Sequence, residues 1–290
     1  MDMLVSAMMV TQAGREALAE EAIGDFARQT WPHRELVIIT DCIERTHYDR
    51  LRRAIEPIER ARVVKVPFRE TLGYLRNAAV EESSGDVLIQ WDDDDRYYMD
   101  RISVQMQPIL AGAIVTCLTD QLYYFTNTRD LYLVDWRRRL PRSIMIPGTV
   151  AIQKDLAAKC SYPERGAEAS KGEDGAFLRQ AISIARAKAM PAQPGAGLCY
   201  LRRWHGNNTW FEGHFRGNAV HMGAKAEHLQ EMRLREQLAT RVRRFGLPLP
   251  VRVMGRDDPA YLVEADKTTL LWSFNSLHGA DTVATVGKAS

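Results

Sequence analysis

Short apolar runs, each followed by polar residues and a helical pattern, punctuate the first third of the chain. Residues 4–10 form the first run, read as a strand, and Thr11-Gln12-Ala13-Gly14 is a loop. Over 15–29, Leu18, Ala22, Ile23 and Phe26 recur at helical spacing until Trp31-Pro32 stops them. A second strand over 36–40 ends at Asp41, and Leu51, Ile55 and Ile58 predict a helix over 46–59. A third strand is expected over 62–66 and a third helix over 70–84. Gly85-Asp86 then opens the run Val87-Leu88-Ile89-Gln90-Trp91. Strands alternating with helices at this spacing imply right-handed βαβ crossovers and a mainly parallel sheet.

The rhythm changes from Met99. A helix is predicted over 101–110 and short strands over 114–117, 121–125, 131–136 and, after Pro147-Gly148, 149–153. A polar loop over 162–172 leads into a strong helix over 173–187, with Phe177, Leu178, Ala181 and Ile182 on one face. A strand over 198–204 precedes the polar loop His205-Gly206-Asn207-Asn208-Thr209. Residues 224–245 read as one basic amphipathic helix, with Leu229, Met232, Leu238 and Val242 against Arg233, Arg235, Arg241, Arg243 and Arg244. Past Pro250 the pattern fades. Residues 266–276 read as strand or helix, and the small, polar tail 279–290 as a frayed end. The expected organisation is an α/β domain over 1–210, with halves of about 1–98 and 99–210, followed by an extension over 211–290 that carries the basic helix.

Composition narrows the class. With 290 residues and 46% hydrophobic content, the chain can bury a large core. Its 39 Lys and Arg against 37 Asp and Glu give a net charge of +2, no general push toward nucleic acid. Cys42, Cys117, Cys160 and Cys199 are far apart, with no metal-finger or disulfide spacing, which points to a reducing cytoplasmic setting. The first apolar run is short and carries Asp2 in place of a basic leader, so it reads as a strand and not a signal peptide. The stretch 109–118 is about half the ~20 residues needed to span a bilayer. The basic helix has three readings: cover over the sheet, homodimer contact, or peripheral docking on anionic headgroups. The first two are preferred because its apolar face is modest.

Asp92, Asp93, Asp94 and Asp95 directly follow the Val87 run. Adjacent carboxylates at the end of a buried strand repel one another, and a cation relieves them most directly. Hard oxygen ligands at this density suit Mg²⁺ or Mn²⁺. An ion at the carboxyl end of a parallel strand is a natural dock for a diphosphate, because ligands of open α/β sheets bind in that crevice. The competing reading is an acidic, solvated turn.

With these pieces in place, the chain resembles the inverting family 2 glycosyltransferases of GT-A fold, an α/β architecture with a mixed, mainly parallel sheet flanked by helices. The resemblance runs from Leu4 to about Thr209. It rests on the Thr11 loop, QTWPHRELVIITD ending at Asp41, GYLRNAAVEESSGDVLIQWDDDD ending at Asp95, GEDGAFLRQA from Gly172, and RRWHGNNTW from Arg202. By that likeness Thr11 and Asp41 contact the nucleotide base, although Thr11 could instead cap a helix and Asp41 serve a turn. Arg76 resembles the donor-binding arginine, since a guanidinium bridges phosphate oxygens well; a surface salt bridge is the other reading. The family D-x-D pattern falls on Asp92 and Asp94. It implies Asp94 as metal ligand and Asp92 and Asp93 on donor hydroxyls, with the register open because all four positions are Asp. The resemblance makes Asp174 the general base for the acceptor hydroxyl and Glu173 an orienting group. Acids at a helix start also compensate its dipole. His205 matches a position where histidine completes the metal shell or touches the diphosphate. Trp204 and Trp210 are sugar-stacking or core residues.

The implied activity is metal-assisted transfer of a sugar, with inversion, from a nucleoside diphosphate donor to an acceptor. A UDP-sugar is first among donors, and the acceptor is a glycan, lipid-linked sugar, peptide or small molecule. Two alternatives stand beside it. Nucleotidyl transfer to a sugar phosphate would want a Gly-rich basic loop after the first strand, and Thr11-Gln12-Ala13-Gly14-Arg15 is a poor version. A non-catalytic sugar-nucleotide or glycan binding module would want a decayed site.

Overall fold

The computed structural model describes residues 3–67, 70–138 and 146–271. Its first third is the expected alternation: β1 (Val5–Val10), α1 (Glu16–Ala27), β2 (Arg34–Thr40), α2 (Arg45–Ile55), β3 (Ala61–Lys65), α3 (Leu72–Glu82) and β4 (Val87–Gln90). Next come β5 (Arg96–Tyr97), α4 (Arg101–Leu110), β6 (Val115–Thr116), β7 (Asp120–Phe125), β8 (Asp130–Asp135), β9 (Ala151–Gln153), α5 (Lys154–Ala157), α6 (Glu173–Ala185) and β10 (Tyr200–Trp204). The chain continues through α7 (Glu212–Met222), α8 (Ala226–Gln230), α9 (Met232–Arg244), β11 (Val251–Met254), β12 (Pro259–Val263) and β13 (Thr268–Leu270).

Two sheets divide these strands. The first has the order β3-β2-β1-β4-β9-β6; β3, β2, β1 and β4 run parallel, while β9 lies antiparallel to both β4 and β6. β1 and β4 are buried along their whole length, which is why they read as unbroken apolar runs and not as alternation. One core lies between this sheet and α1 and α4 (Phe26, Ile38, Ile102), and another on its other face against α3 and α6 (Leu75, Leu88, Phe177). The second sheet has the order β13-β12-β11-β8-β7-β10-β5.

Beyond Trp210 the structure departs from the sequence reading. α7 arises in a stretch with two glycines and weak amphipathicity, yet Phe215, Asn218, Ala219 and Met222 are buried along one side. The helix expected over 224–245 is two helices. Glu231 is extended (φ −52°, ψ 127°), and Gln230 Nε2 donates to the Ala260 carbonyl on β12 at 3.0 Å, so a tertiary contact pins the end of α8. α9 covers the second sheet through Leu238, Ala239 and Val242. β11 and β12 lie where the pattern had faded; β11 joins β8 in parallel through Val253 and Leu131. Residues 272–276 and the tail 279–290 lie outside the described residues. No helix among the described residues is long and apolar enough to cross a membrane.

Candidate active site

The parallel strands of the first sheet all discharge at one edge. Thr11 follows β1, Asp41 follows β2, and β4 runs through Trp91 into the four aspartates. The turn after β4 is set by aromatic packing. Trp91 Nε1 donates to the Ala22 carbonyl at 3.1 Å, and its ring stacks on Tyr97 with centroids 3.8 Å apart. Tyr97 reaches back to donate its hydroxyl to the Asp92 carbonyl at 3.0 Å. The guanidinium of Arg101 lies over both Tyr97 and Tyr200, 5.3 and 4.9 Å from the ring centroids. Four carboxylates are thus held on a rigid corner.

In sequence the four are indistinguishable; in space each has a different set of partners, with Arg15 shared by Asp93 and Asp94. Asp95 is an anchor: its carboxylate accepts from the Tyr200 hydroxyl and, at 2.9 Å, from the Arg203 N–H on β10. Burial, with Asp94 and Asp92 alongside, pushes its pKa up to about 8. Asp92 accepts from Arg76 at 3.1 Å and from Gln90 at 3.0 Å. Asp93 pairs with Arg15 at 2.9 Å, and burial raises its pKa to about 7 against the pull of that guanidinium. The Thr11 hydroxyl lies near Asp93, but neither it nor Asp93 Oδ2 completes a hydrogen bond of ordinary geometry. Asp94 Oδ2 meets Arg15 at 2.5 Å, His205 Nε2 at 3.2 Å and Asn208 Nδ2 at 3.4 Å. Burial works against its charge, yet His205 and Arg15 hold it well below the usual carboxylate range.

The opposite wall comes from α3 and α6. Gly73 lets α3 approach the loop before α6: a Cβ there would stand 1.9 Å from the Pro163 carbonyl oxygen. Asn77 fixes the same loop, donating to the Tyr162 carbonyl at 2.9 Å and accepting from its N–H at 2.8 Å. Tyr162 in turn stacks on Phe177 of α6 at 4.1 Å. This docking sets Arg76 between two walls, with Nε on Glu173 and Nη2 on Asp92, both at 3.1 Å. Asp174, one residue on, accepts the Gly175 N–H at 2.7 Å through Oδ1 and faces the cleft.

The cleft, about 200 Å³, brings together Thr11, Arg76, Asp92, Asp93, Asp94, Glu173 and Asp174. His205 joins them through Asp94. Asp41 does not line the cleft; it sits behind Gln12, whose amide nitrogen is 3.4 Å away. Trp210 borders the mouth, where Lys171 Nζ lies 4.2 Å from its ring centroid, while Trp204 packs on Phe125 in the core. Sequence reasoning missed Arg15 and Lys171. Arg15 sits at an unremarkable loop-to-helix junction, and only the fold shows which acids it faces. It also gave no individual role to Arg202, whose guanidinium rests over the Phe215 ring at 4.7 Å. Strict alternation on β10 could have separated the cleft-facing Arg202 from Arg203.

Among the described residues, no three His, Cys, Asp or Glu side chains converge into a ready-made metal cage. Asp94 with His205 nevertheless offers an oxygen and an imidazole nitrogen side by side, and the buried Asp93 Oδ2 is unsatisfied. The set fits a divalent ion that takes few protein ligands and completes its shell from phosphate oxygens.

A mainly parallel sheet with an acidic turn and a second carboxylate site at the same edge is an α/β fold of GT-A type. Solved structures share it. TarS 1–349 of S. aureus in complex with UDP is 17% identical, with 83% of this chain and 71% of that chain covered and a TM-score of 0.57. The mannosyltransferase PcManGT of Pyrobaculum calidifontis, in complex with GDP-Man and Mn²⁺, is 13% identical, with 83% and 64% covered and a TM-score of 0.51. Glucosyl-3-phosphoglycerate synthase of Mycobacterium tuberculosis, in complex with phosphoglyceric acid, is 15% identical, with 85% and 81% covered and a TM-score of 0.50. No curated protein matches the sequence. The profile described as Glycosyl transferase family 2 matches residues 7–159, more than half of the chain. The protein therefore belongs to glycosyl transferase family 2.

Proposed function

We propose that this glycosyltransferase moves a sugar from a nucleoside diphosphate donor, a UDP-sugar first among candidates, to an acceptor hydroxyl in one displacement with inversion. The observation that carries this reading is a single cleft with carboxylates on two walls, the aspartate corner on one and Asp174 on the other, with Arg76 between. Direct inversion needs one base on the acceptor side and a charge-neutralising group on the leaving-group side, and no second nucleophile.

Asp94 and His205 would hold a divalent ion, and when bound it supplies Lewis-acid stabilisation of the departing diphosphate. In this reading Asp92 and Asp93 contact donor hydroxyls, and Thr11 and Asp41 the base, Asp41 by way of Gln12. Arg76 offers its guanidinium to a phosphate once the donor enters. Glu173 orients Arg76 by its hydrogen bond, so its acceptor-side role is indirect. Asp174 takes the acceptor proton through Oδ2, since Oδ1 is engaged by the Gly175 N–H. Trp210 borders the cleft with His214 stacked on its ring at 4.4 Å and Lys171 Nζ over it, so a sugar stacking there would share the ring with them. The cytoplasmic side of the cell is the expected setting.

A donor screen read by nucleoside diphosphate release, with and without Mn²⁺, tests this reading. One sugar nucleotide should be hydrolysed slowly in the presence of Mn²⁺ and not with EDTA. An α-linked donor should give a β-linked product by NMR once an acceptor is supplied. Retained anomeric configuration would overturn the single displacement.

A further inference from the structure

Asp94 Oδ2 faces more than one suitor. The Nη2 of Arg15 sits 2.5 Å from it and 2.9 Å from Asp93 Oδ1, so one guanidinium nitrogen bridges the two carboxylates. His205 and Asn208 approach the same oxygen from the other side, at 3.2 and 3.4 Å. A divalent ion bonds carboxylate oxygen at roughly 2.0–2.2 Å. An ion on Asp94 would stand beside a guanidinium already in hydrogen-bond contact with the same carboxylate, and two cations there repel strongly in a desolvated corner. Arg15 can leave: it starts at the loop-to-helix junction, lines the cleft, and keeps 27% of its side chain exposed. Anything that displaces it must give it another anion.

We propose that Arg15 is the resident counter-cation of the metal site and makes metal binding conditional on the donor's diphosphate. The inference rests on the reading that Asp94 and His205 hold the ion. Without a diphosphate, an incoming ion must break the Arg15–Asp94 pair and stand beside a guanidinium that only Asp93 still neutralises. With a diphosphate, the guanidinium swings to a phosphate oxygen and the aspartate is freed. Metal and nucleotide therefore bind with positive coupling, and that coupling is reciprocal.

The test measures Mn²⁺ binding by electron paramagnetic resonance, with no turnover, in the presence and absence of saturating UDP, and of GDP in parallel. Nucleotide-only controls correct for chelation. In the wild-type protein Mn²⁺ alone should bind weakly, and nucleotide should tighten it by about 30-fold. In Arg15→Gln, Mn²⁺ alone should bind about tenfold tighter and the coupling should shrink to about threefold or less. Arg15→Lys keeps the charge and should keep both the weak metal-only binding and the coupling. Tight wild-type binding of Mn²⁺ alone would overturn the proposal whether or not the variants fold. So would an Arg15→Gln protein with unchanged coupling, or an Arg15→Lys protein that behaves like Arg15→Gln. Wild-type protein that binds no Mn²⁺ even with UDP or GDP would overturn the metal-site reading along with this one, which distinguishes the two failures.

Discussion

Two buried acidic centres sit at opposite ends of the same parallel strands, and they are built on opposite principles. At the amino-terminal edge, Glu35 on β2 accepts from Ser6 at 2.5 Å, from the Ser84 N–H and hydroxyl at 2.7 and 2.8 Å, and from Arg62 at 2.9 Å. Gly85 closes this knot by donating its N–H to Ser6 at 2.8 Å, and a Cβ on Gly85 would stand 2.6 Å from the Ser6 hydroxyl. Burial alone would raise the Glu35 pKa, but these donors bring it down to about 2. At the carboxyl-terminal edge the aspartate corner has more charge and fewer donors per carboxylate, and burial lifts two of its members instead. A carboxylate whose lone pairs are all used stabilises the fold; carboxylates left partly unsatisfied store the capacity to bind.

The sharpest break between the two centres is Asp94→Ala. It should lower donor turnover by about a thousandfold or more, because it removes the oxygen on which the site converges. Thermal melting should show only a small loss, since the change removes the Arg15 pair but also relieves like-charge crowding. A drop in melting temperature comparable to that of a core cavity would erase the contrast.

Asp174→Asn should cost about 10²–10⁴-fold in transfer, the usual worth of a positioned base. Calorimetric donor affinity should stay within about twofold, since the amide keeps the shape of the wall but cannot take a proton. Loss of donor binding would move Asp174 from the acceptor side to the donor side.

Glu35→Gln should do the reverse of both. The expected loss is about 2 kcal/mol in urea unfolding, less than the pKa shift alone would give because Arg62 still meets water. Activity per folded molecule should hold. A carboxylate with a depressed native pKa contributes stability that is present above its unfolded value, near 4.5, and lost as pH falls toward 2. The wild-type advantage should therefore vanish across that window, and an advantage that survives at pH 2 would show the donors acting by packing alone.

As the smallest effect, Asp49→Asn should change stability by less than about 0.5 kcal/mol. Its pair with Arg45, at 3.5 Å, lies in solvent and belongs to neither centre.

How much of this was visible in the sequence follows from what each feature depends on. The three βα units and the strand after them were legible because β1, β2 and β4, buried on both faces, leave nearly unbroken apolar runs, and each run stops where the edge begins. Gly73, Arg76 and Asn77 lie in one quoted motif, but only the docking of the loop at Pro163 explains why they stand together. The roles within Asp92–Asp95 were not legible, since four identical letters carry no direction; Tyr200, Arg203, Arg76 and Arg15 assign them from distant parts of the chain. α7 hid behind two glycines. β11 and β12 hid because a strand of four or five residues with one exposed face gives little periodicity, and their place is decided by β8.

The pairing of β11 with β8 has a further consequence. Val253 and Leu131 lie in neighbouring strands, and the core beneath them draws Leu122 and Leu201 from one side of Trp210 and Leu238, Val242 and Tyr261 from the other. The stretch after Trp210 thus behaves as a fitted wall and not as detachable cargo. Trimming the chain there would bare a ladder of unpaired amides on β8 over an unroofed oily floor, an invitation to clump.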